Sequence, residues 1–99
     1  MIQSFILLII ACGDHPNHIA DIPWDNQTKL GTVDLKYSET YLSCRKLCRD
    51  AHPDFQFYHK FINYQSCDCI KISSGVVITM KEHGAYTFGY SQECGRFII

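Results

Sequence analysis

Ser38-Glu39-Thr40-Tyr41-Leu42-Ser43-Cys44-Arg45-Lys46-Leu47-Cys48-Arg49-Asp50-Ala51-His52-Pro53 is the stretch that decides the fold. Its apolar positions are Tyr41, Cys44, Leu47, Cys48 and Ala51. Steps of three and four put these on one helical face, with Arg45, Lys46, Arg49 and Asp50 on the other. Ser38 is placed to cap the helix through its hydroxyl, and Glu39 to favour the positive end of the dipole. His52-Pro53 ends the helix, because proline disfavours helical backbone at the residue before it. Cys44 and Cys48 therefore point the same way, one turn apart.

Downstream, Phe55-Gln56-Phe57-Tyr58-His59 predicts a strand with Phe55 and Phe57 inward, and Asn63 to Ser66 a turn. Cys67-Asp68-Cys69-Ile70-Lys71-Ile72 predicts a second strand, on which Cys67 and Cys69 share a face. Ser73-Ser74-Gly75 breaks it. Val76 to Met80 is β-rich, Glu82 to Gly84 is a turn, and Tyr86 to Tyr90 is a returning strand. Upstream, Leu30 to Tyr37 alternates loosely and suits a strand. Asp14 to Gln27 is polar and irregular, with Pro16 and Pro23 as breakers. One helix among four to six short strands is an α+β fold.

A helix laid on a sheet brings Cys44 and Cys48 to Cys67 and Cys69. Two bridges there close loops of roughly 20 to 25 residues, each constraining the unfolded chain by about 3 kcal/mol. The alternative is a zinc site with four cysteine ligands. Structural zinc knuckles leave two to four residues between their cysteines, so the single residue between Cys67 and Cys69 fits poorly. Disulfides are the preferred reading, with the partner of each cysteine left open.

Six cysteines in 99 residues read as a disulfide framework in a secreted chain and as metal ligands in a cytosolic one. The N-terminus decides between them. Ile2 to Ala11 is almost wholly apolar. Ten residues rise only about 15 Å as a helix, too short to span a bilayer but suited to a signal-peptide core. Ala11-Cys12-Gly13 then fits a small-x-small cleavage site, with cutting before Asp14. No Lys or Arg precedes the apolar run, which leaves a buried element of the domain as the alternative. Ile9-Ile10-Ala11-Cys12 also looks like a lipobox that would acylate Cys12. The expected organisation is a signal peptide at 1–13, an irregular segment at 14–26 and a folded domain at 27–99.

The helix stretch Ser38 to Cys48, with its Cys-x3-Cys, resembles the helix of PAN/apple domains. Phe55-Gln56-Phe57-Tyr58 resembles the aromatic strand that follows it. Cys69-Ile70-Lys71 is similar to the family's Cys-x-Lys strand, and Ala85-Tyr86-Thr87-Phe88-Gly89-Tyr90 to Cys94 is similar to its late Gly-aromatic segment before a final cysteine. Gly31 to Leu35 matches the strand entering the helix. The resemblance runs from about Gln27 to Cys94. It implies one α-helix packed on a curved antiparallel sheet, bridges nested as Cys44–Cys69 and Cys48–Cys67, and a secreted, non-catalytic module that binds extracellular protein or glycan. Two features depart from the pattern. Phe55 stands where many apple domains carry a cysteine. The family's first cysteine, which bonds the last, has only Cys12 as a counterpart, so Cys12–Cys94 depends on cutting after Ala11.

Other functions have weaker support. Nine Lys+Arg against ten Asp+Glu build no basic field for nucleic acid. Cys12, His15 and His18 form a Cys-x2-His-x2-His cluster of metal-ligand type, but isolated histidines near a terminus are more often solvated. His52 or His59 beside a cysteine would activate a thiol, but the cysteines are better explained as bridges. No Ser-His-Asp or paired-carboxylate arrangement is recognisable. The expectation is no enzyme, no cofactor and no metal. Tyr58, His59, Lys60 and Tyr64 are the candidate ligand-binding patch, although core or ordinary surface is the preferred reading of each one alone. Arg45, Lys46 and Arg49 give the helix a modest basic face that could meet an acidic glycan, with a plain solvated face the preferred reading. Asn26-Gln27-Thr28 is an N-glycosylation sequon.

Overall fold

The computed structural model describes residues 11–95. The apolar run that carries the signal-peptide expectation lies at 1–10, outside the described residues. Within 11–95, five strands form one sheet: β1 (Asp14–Ala20), β2 (Gln27–Asp34), β3 (Phe57–Phe61), β4 (Ser66–Ile72) and β5 (Met80–Tyr90). Their order is β1-β5-β3-β4-β2, and every neighbouring pair is antiparallel. One helix, α1 (Cys44–Ala51), packs on β2, β3 and β4. Short 3-10 turns occupy Trp24–Asn26 and Tyr41–Ser43. The chain is thus a small disulfide-rich α+β domain with one short helix on a five-stranded antiparallel sheet.

The helix begins later than its apolar spacing predicts. Ser38 does not cap it. The Thr40 hydroxyl accepts the Leu42 N–H at 3.3 Å and starts the 3-10 turn that leads into α1. The C-terminus is as expected: the His52 N–H reaches the Cys48 carbonyl at 2.6 Å, and Pro53 follows.

Three disulfides are present: Cys12–Cys94, Cys44–Cys67 and Cys48–Cys69. The helix pairs with β4 in crossed fashion, not in the nested arrangement that the family resemblance implies. The difference is one of direction. β4 runs antiparallel to β3, and the bridges join the first cysteine of α1 to the first of β4 and the second to the second, so the cysteine-bearing stretches of α1 and β4 run the same way. The spacing also matches: four helical residues rise about 6 Å, and two strand residues about 6.6 Å.

Alternation along the strands divides the interior in two. Against the helix lie Leu35, Cys44, Cys48, Phe55, Tyr58, Cys67 and Cys69. On the opposite face lie Ala20, Ile22, Phe57, Ile70, Phe88 and Tyr90. Phe55 and Phe57 are both buried, as expected, but on opposite faces.

The segment expected to be irregular at 14–26 contains a strand. Asp14–Ala20 pairs with β5 despite Pro16, because β1 is an edge strand and the register shifts at Asn17, whose φ is +65°. The expected turn at Glu82–Gly84 lies inside the continuous strand β5. Pro16 faces Thr87 and His18 faces Glu82, so the intervening residues of β5 bulge where a turn was predicted. Val76 to Thr79, expected to be β, is irregular and leads into β5.

Because β1 and β2 lie on opposite edges, their connection must cross the sheet. Residues 21–26 do so on the face away from the helix, and Ile22 anchors them in the second core. The β4–β5 connection covers the same face with Val76 and Ile78. This crossing layer forms the site described next.

Candidate functional site: a groove under the crossing segment

Two adjoining cavities, of about 410 and 290 Å³, share Trp24, Gln27 and His59 as walls. The larger opens toward Asp21, Lys81 and His83, and the smaller toward Lys29, Asp68 and Tyr86. Trp24 is 73% exposed, because the 3-10 turn after Pro23 projects it from the surface. Its ring offers a flat apolar platform at the mouth of both cavities.

Gln27 and His59 supply fixed polar atoms. The Gln27 amide nitrogen donates to the Ile22 carbonyl at 2.8 Å, which orients the amide. Its Oε1 is buried without a protein hydrogen-bond partner. His59 is 4% exposed, and its Nε2 accepts the Ala20 N–H at 3.1 Å. That contact assigns the ring proton to Nδ1. Burial lowers the His59 pKa from 6.5 to about 4, with the Asp68 carboxylate opposing the shift. The imidazole is therefore neutral at neutral pH. Each end of the groove carries an ion pair: Lys81–Asp21 at 3.8 Å and Lys29–Asp68 at 3.6 Å. The groove is therefore mostly apolar in its lining, nearly neutral, and walled by Trp24, His59 and Tyr86, with a few fixed polar atoms among them.

The patch expected from Tyr58, His59, Lys60 and Tyr64 does not exist as one surface. Adjacent strand residues point to opposite faces. Tyr58 is fully buried on the helix side, where its hydroxyl donates to Asp14 at 2.5 Å. His59 is buried on the other side. Lys60 is half-buried and donates to the Phe61 carbonyl at 3.2 Å, beside a third cavity of about 230 Å³. Tyr64 is exposed and packs edge-on against Phe61.

Arg45 is likewise not part of a solvated basic face. It is 7% exposed, its Nε donates to the Tyr90 carbonyl at 2.9 Å, and its Nη2 pairs with Asp14 at 2.9 Å. The unexpected strand β1 brings Asp14 to it. Arg49 is exposed and donates to the Ser91 carbonyl at 3.2 Å. Lys46 is exposed and pairs with Asp50 at 3.0 Å. Asn26 is half-buried, and its carbonyl accepts the Ser73 N–H at 3.0 Å. It ends the same short turn that carries Trp24.

The Cys-x2-His-x2-His cluster is dispersed. Cys12 is bridged to Cys94, and one His15 ring nitrogen contacts the Cys12 carbonyl at 2.9 Å. Among the described residues no group of three His, Cys, Asp or Glu side chains is placed to hold a metal. All six cysteines are bridged, so neither His52 nor His59 has a thiol to activate. No helix of the described residues is long and apolar enough to cross a membrane.

Sequence reasoning missed Trp24, Gln27 and Asp68. A signal for the first was present: a lone tryptophan between Pro23 and Asp25 in a polar stretch has no helix or strand pattern to bury it.

No protein-family model matches the chain, and neither a curated protein nor a solved structure matches it.

Proposed function

We propose that the chain is a secreted, non-catalytic binding module that recognises an extracellular protein or glycan through the Trp24 groove. The observation that carries this reading is the groove itself: an exposed indole beside fixed polar atoms and two balanced ion pairs. Flat apolar platforms beside hydrogen-bonding groups suit the alternating apolar and hydroxyl faces of a sugar, or an aromatic and amide surface of a protein. Three disulfides are typical of extracellular proteins and support secretion. The buried ionisable groups are engaged in structural contacts, which supports a module without catalysis. The sequon at Asn26 places a glycan beside Trp24 if it is occupied, so Asn26→Gln belongs in any binding assay.

The PAN/apple resemblance supports the same class of function through the Cys-x3-Cys helix and the Cys-x-Lys strand. The crossed bridges favour a second reading, a secreted effector or inhibitor on another disulfide scaffold that acts by blocking a partner.

The test is a screen of the secreted, oxidised chain against immobilised glycans and extracellular proteins, with Trp24→Ala in parallel. The expected result is binding that falls at least tenfold in the variant while its thermal unfolding is unchanged. Binding indifferent to Trp24, or none to either class, overturns the groove as the site.

A further inference from the structure

The residues that sequence rules assign to the end of a leader are built into the fold. Cys12 is bridged to Cys94 with their Cα atoms 5.0 Å apart. The Gly13 N–H donates to the Gln92 carbonyl at 2.9 Å, and the Gly13 carbonyl accepts the Tyr90 N–H at 3.0 Å. Gly13 holds φ at +84°, and a Cβ there would lie 2.9 Å from the Cys94 sulfur. Glycine at this position is therefore demanded by the bridge, whatever a peptidase prefers. The next residue, Asp14, receives the Arg45 guanidinium and the Tyr58 hydroxyl.

A cut between Gly13 and Asp14, which the small-x-small pattern favours, damages all of this. It removes Cys12 and leaves Cys94 as an odd thiol. It deletes both Gly13 backbone hydrogen bonds. It also creates an α-ammonium on Asp14, close to the Arg45 cation that the carboxylate neutralises. A cut after Ala11 does none of these things. Ala11 is exposed and takes part in no regular element. It is also a small residue on the carboxyl side of which a leader peptidase can act.

We propose that the leader is removed at the Ala11–Cys12 bond, so that the mature chain begins at Cys12. The inference rests on the secretory reading given above. In the step, water adds to the Ala11 carbonyl carbon and the C–N bond breaks. Ala11 leaves as a carboxylate and Cys12 gains a free α-amine. The thiols of Cys12 and Cys94 then give up their two protons and two electrons to a disulfide-donating oxidant of the secretory compartment, which is reduced to a dithiol as the S–S bond forms. A sulfur engaged in that bridge is not available for the thioether acylation that the lipobox-like run would direct.

The experiment is translation of the full chain into microsomes and, separately, its export from a bacterial host. Intact mass and N-terminal peptide mapping are then read without reduction. The new N-terminus is read on the translocated chain and requires no correct folding, whereas the linked peptide reports the bridge. The expected product has lost residues 1–11, starts at Cys12 and yields a Cys12–Cys94 linked peptide. A product starting at Asp14, at another residue, or carrying acyl mass on Cys12 overturns the proposal while leaving secretion intact. A chain that keeps Met1 in both systems overturns the secretory reading together with the proposal.

Discussion

The Arg45 guanidinium lies 2.9 Å from the Asp14 carboxylate, joining the helix to the first strand across 31 residues of sequence. The Tyr58 hydroxyl donates to the same carboxylate from β3. Burial, and then the Asp14 contact, raise the Tyr58 pKa, so the phenol stays protonated and remains a donor. Removing one partner of a buried pair strands the other charge, at a cost of about 3–5 kcal/mol. Asp14→Ala is expected to lower stability by that amount, because it isolates the more deeply buried Arg45. Tyr58→Phe should cost only about 1 kcal/mol, the size of one hydrogen bond. Urea unfolding of both variants checks the order.

His59 makes stability depend on pH. Its pKa falls from 6.5 to about 4 on folding, chiefly through burial. Below pH 6.5 the unfolded chain takes a proton that the folded chain refuses until about pH 4. Stability is therefore complete above pH 6.5 and declines as pH falls toward 4, by about 3 kcal/mol in all. Chemical denaturation at pH 7.5, 5.5 and 4 should show this fall, and His59→Gln should flatten it.

The three bridges differ in access. Cys44, Cys48, Cys67 and Cys69 are fully buried, whereas Cys94 is exposed. Mild reductant followed by alkylation and mass spectrometry should therefore label Cys12 and Cys94 first. The Cys12–Cys94 bridge spans 82 residues. By loop-closure entropy its removal costs about 4–5 kcal/mol, so Cys12→Ser with Cys94→Ser should unfold well below the parent.

Gly89 lies against the Tyr58 ring, where a Cβ would overlap ring atoms. Gly89→Ala is expected to destabilise by about 1–3 kcal/mol through overpacking. Gly84 has open space around its Cβ position, so Gly84→Ala should leave thermal unfolding nearly unchanged. The contrast between the two is the measurement.

The helix and the strands it is bridged to were legible because their signals are local. Steps of three and four run through Cys44 and Cys48, alternation through Cys67 and Cys69, and Pro53 ends the helix. What sequence could not show depends on distant partners. β1 reads as irregular because it is polar and holds Pro16, and it is a strand only because β5 lies beside it. Arg45 reads as solvated until β1 delivers Asp14. Tyr58 and His59, adjacent in sequence, read as one patch, but strand alternation sends them to opposite faces. The groove was illegible for the same reason, since Trp24 and Asp68 meet only when the β1–β2 connection crosses the sheet. The crossed bridges were equally out of reach, because which cysteine of α1 meets which of β4 depends on the relative direction of the two elements.

The 5.0 Å separation of the Cys12 and Cys94 Cα atoms means that the polypeptide enters and leaves the domain at one pole. The bridge therefore acts as a covalent clasp at that pole: fraying of β1 away from β5 cannot begin there while the clasp is closed.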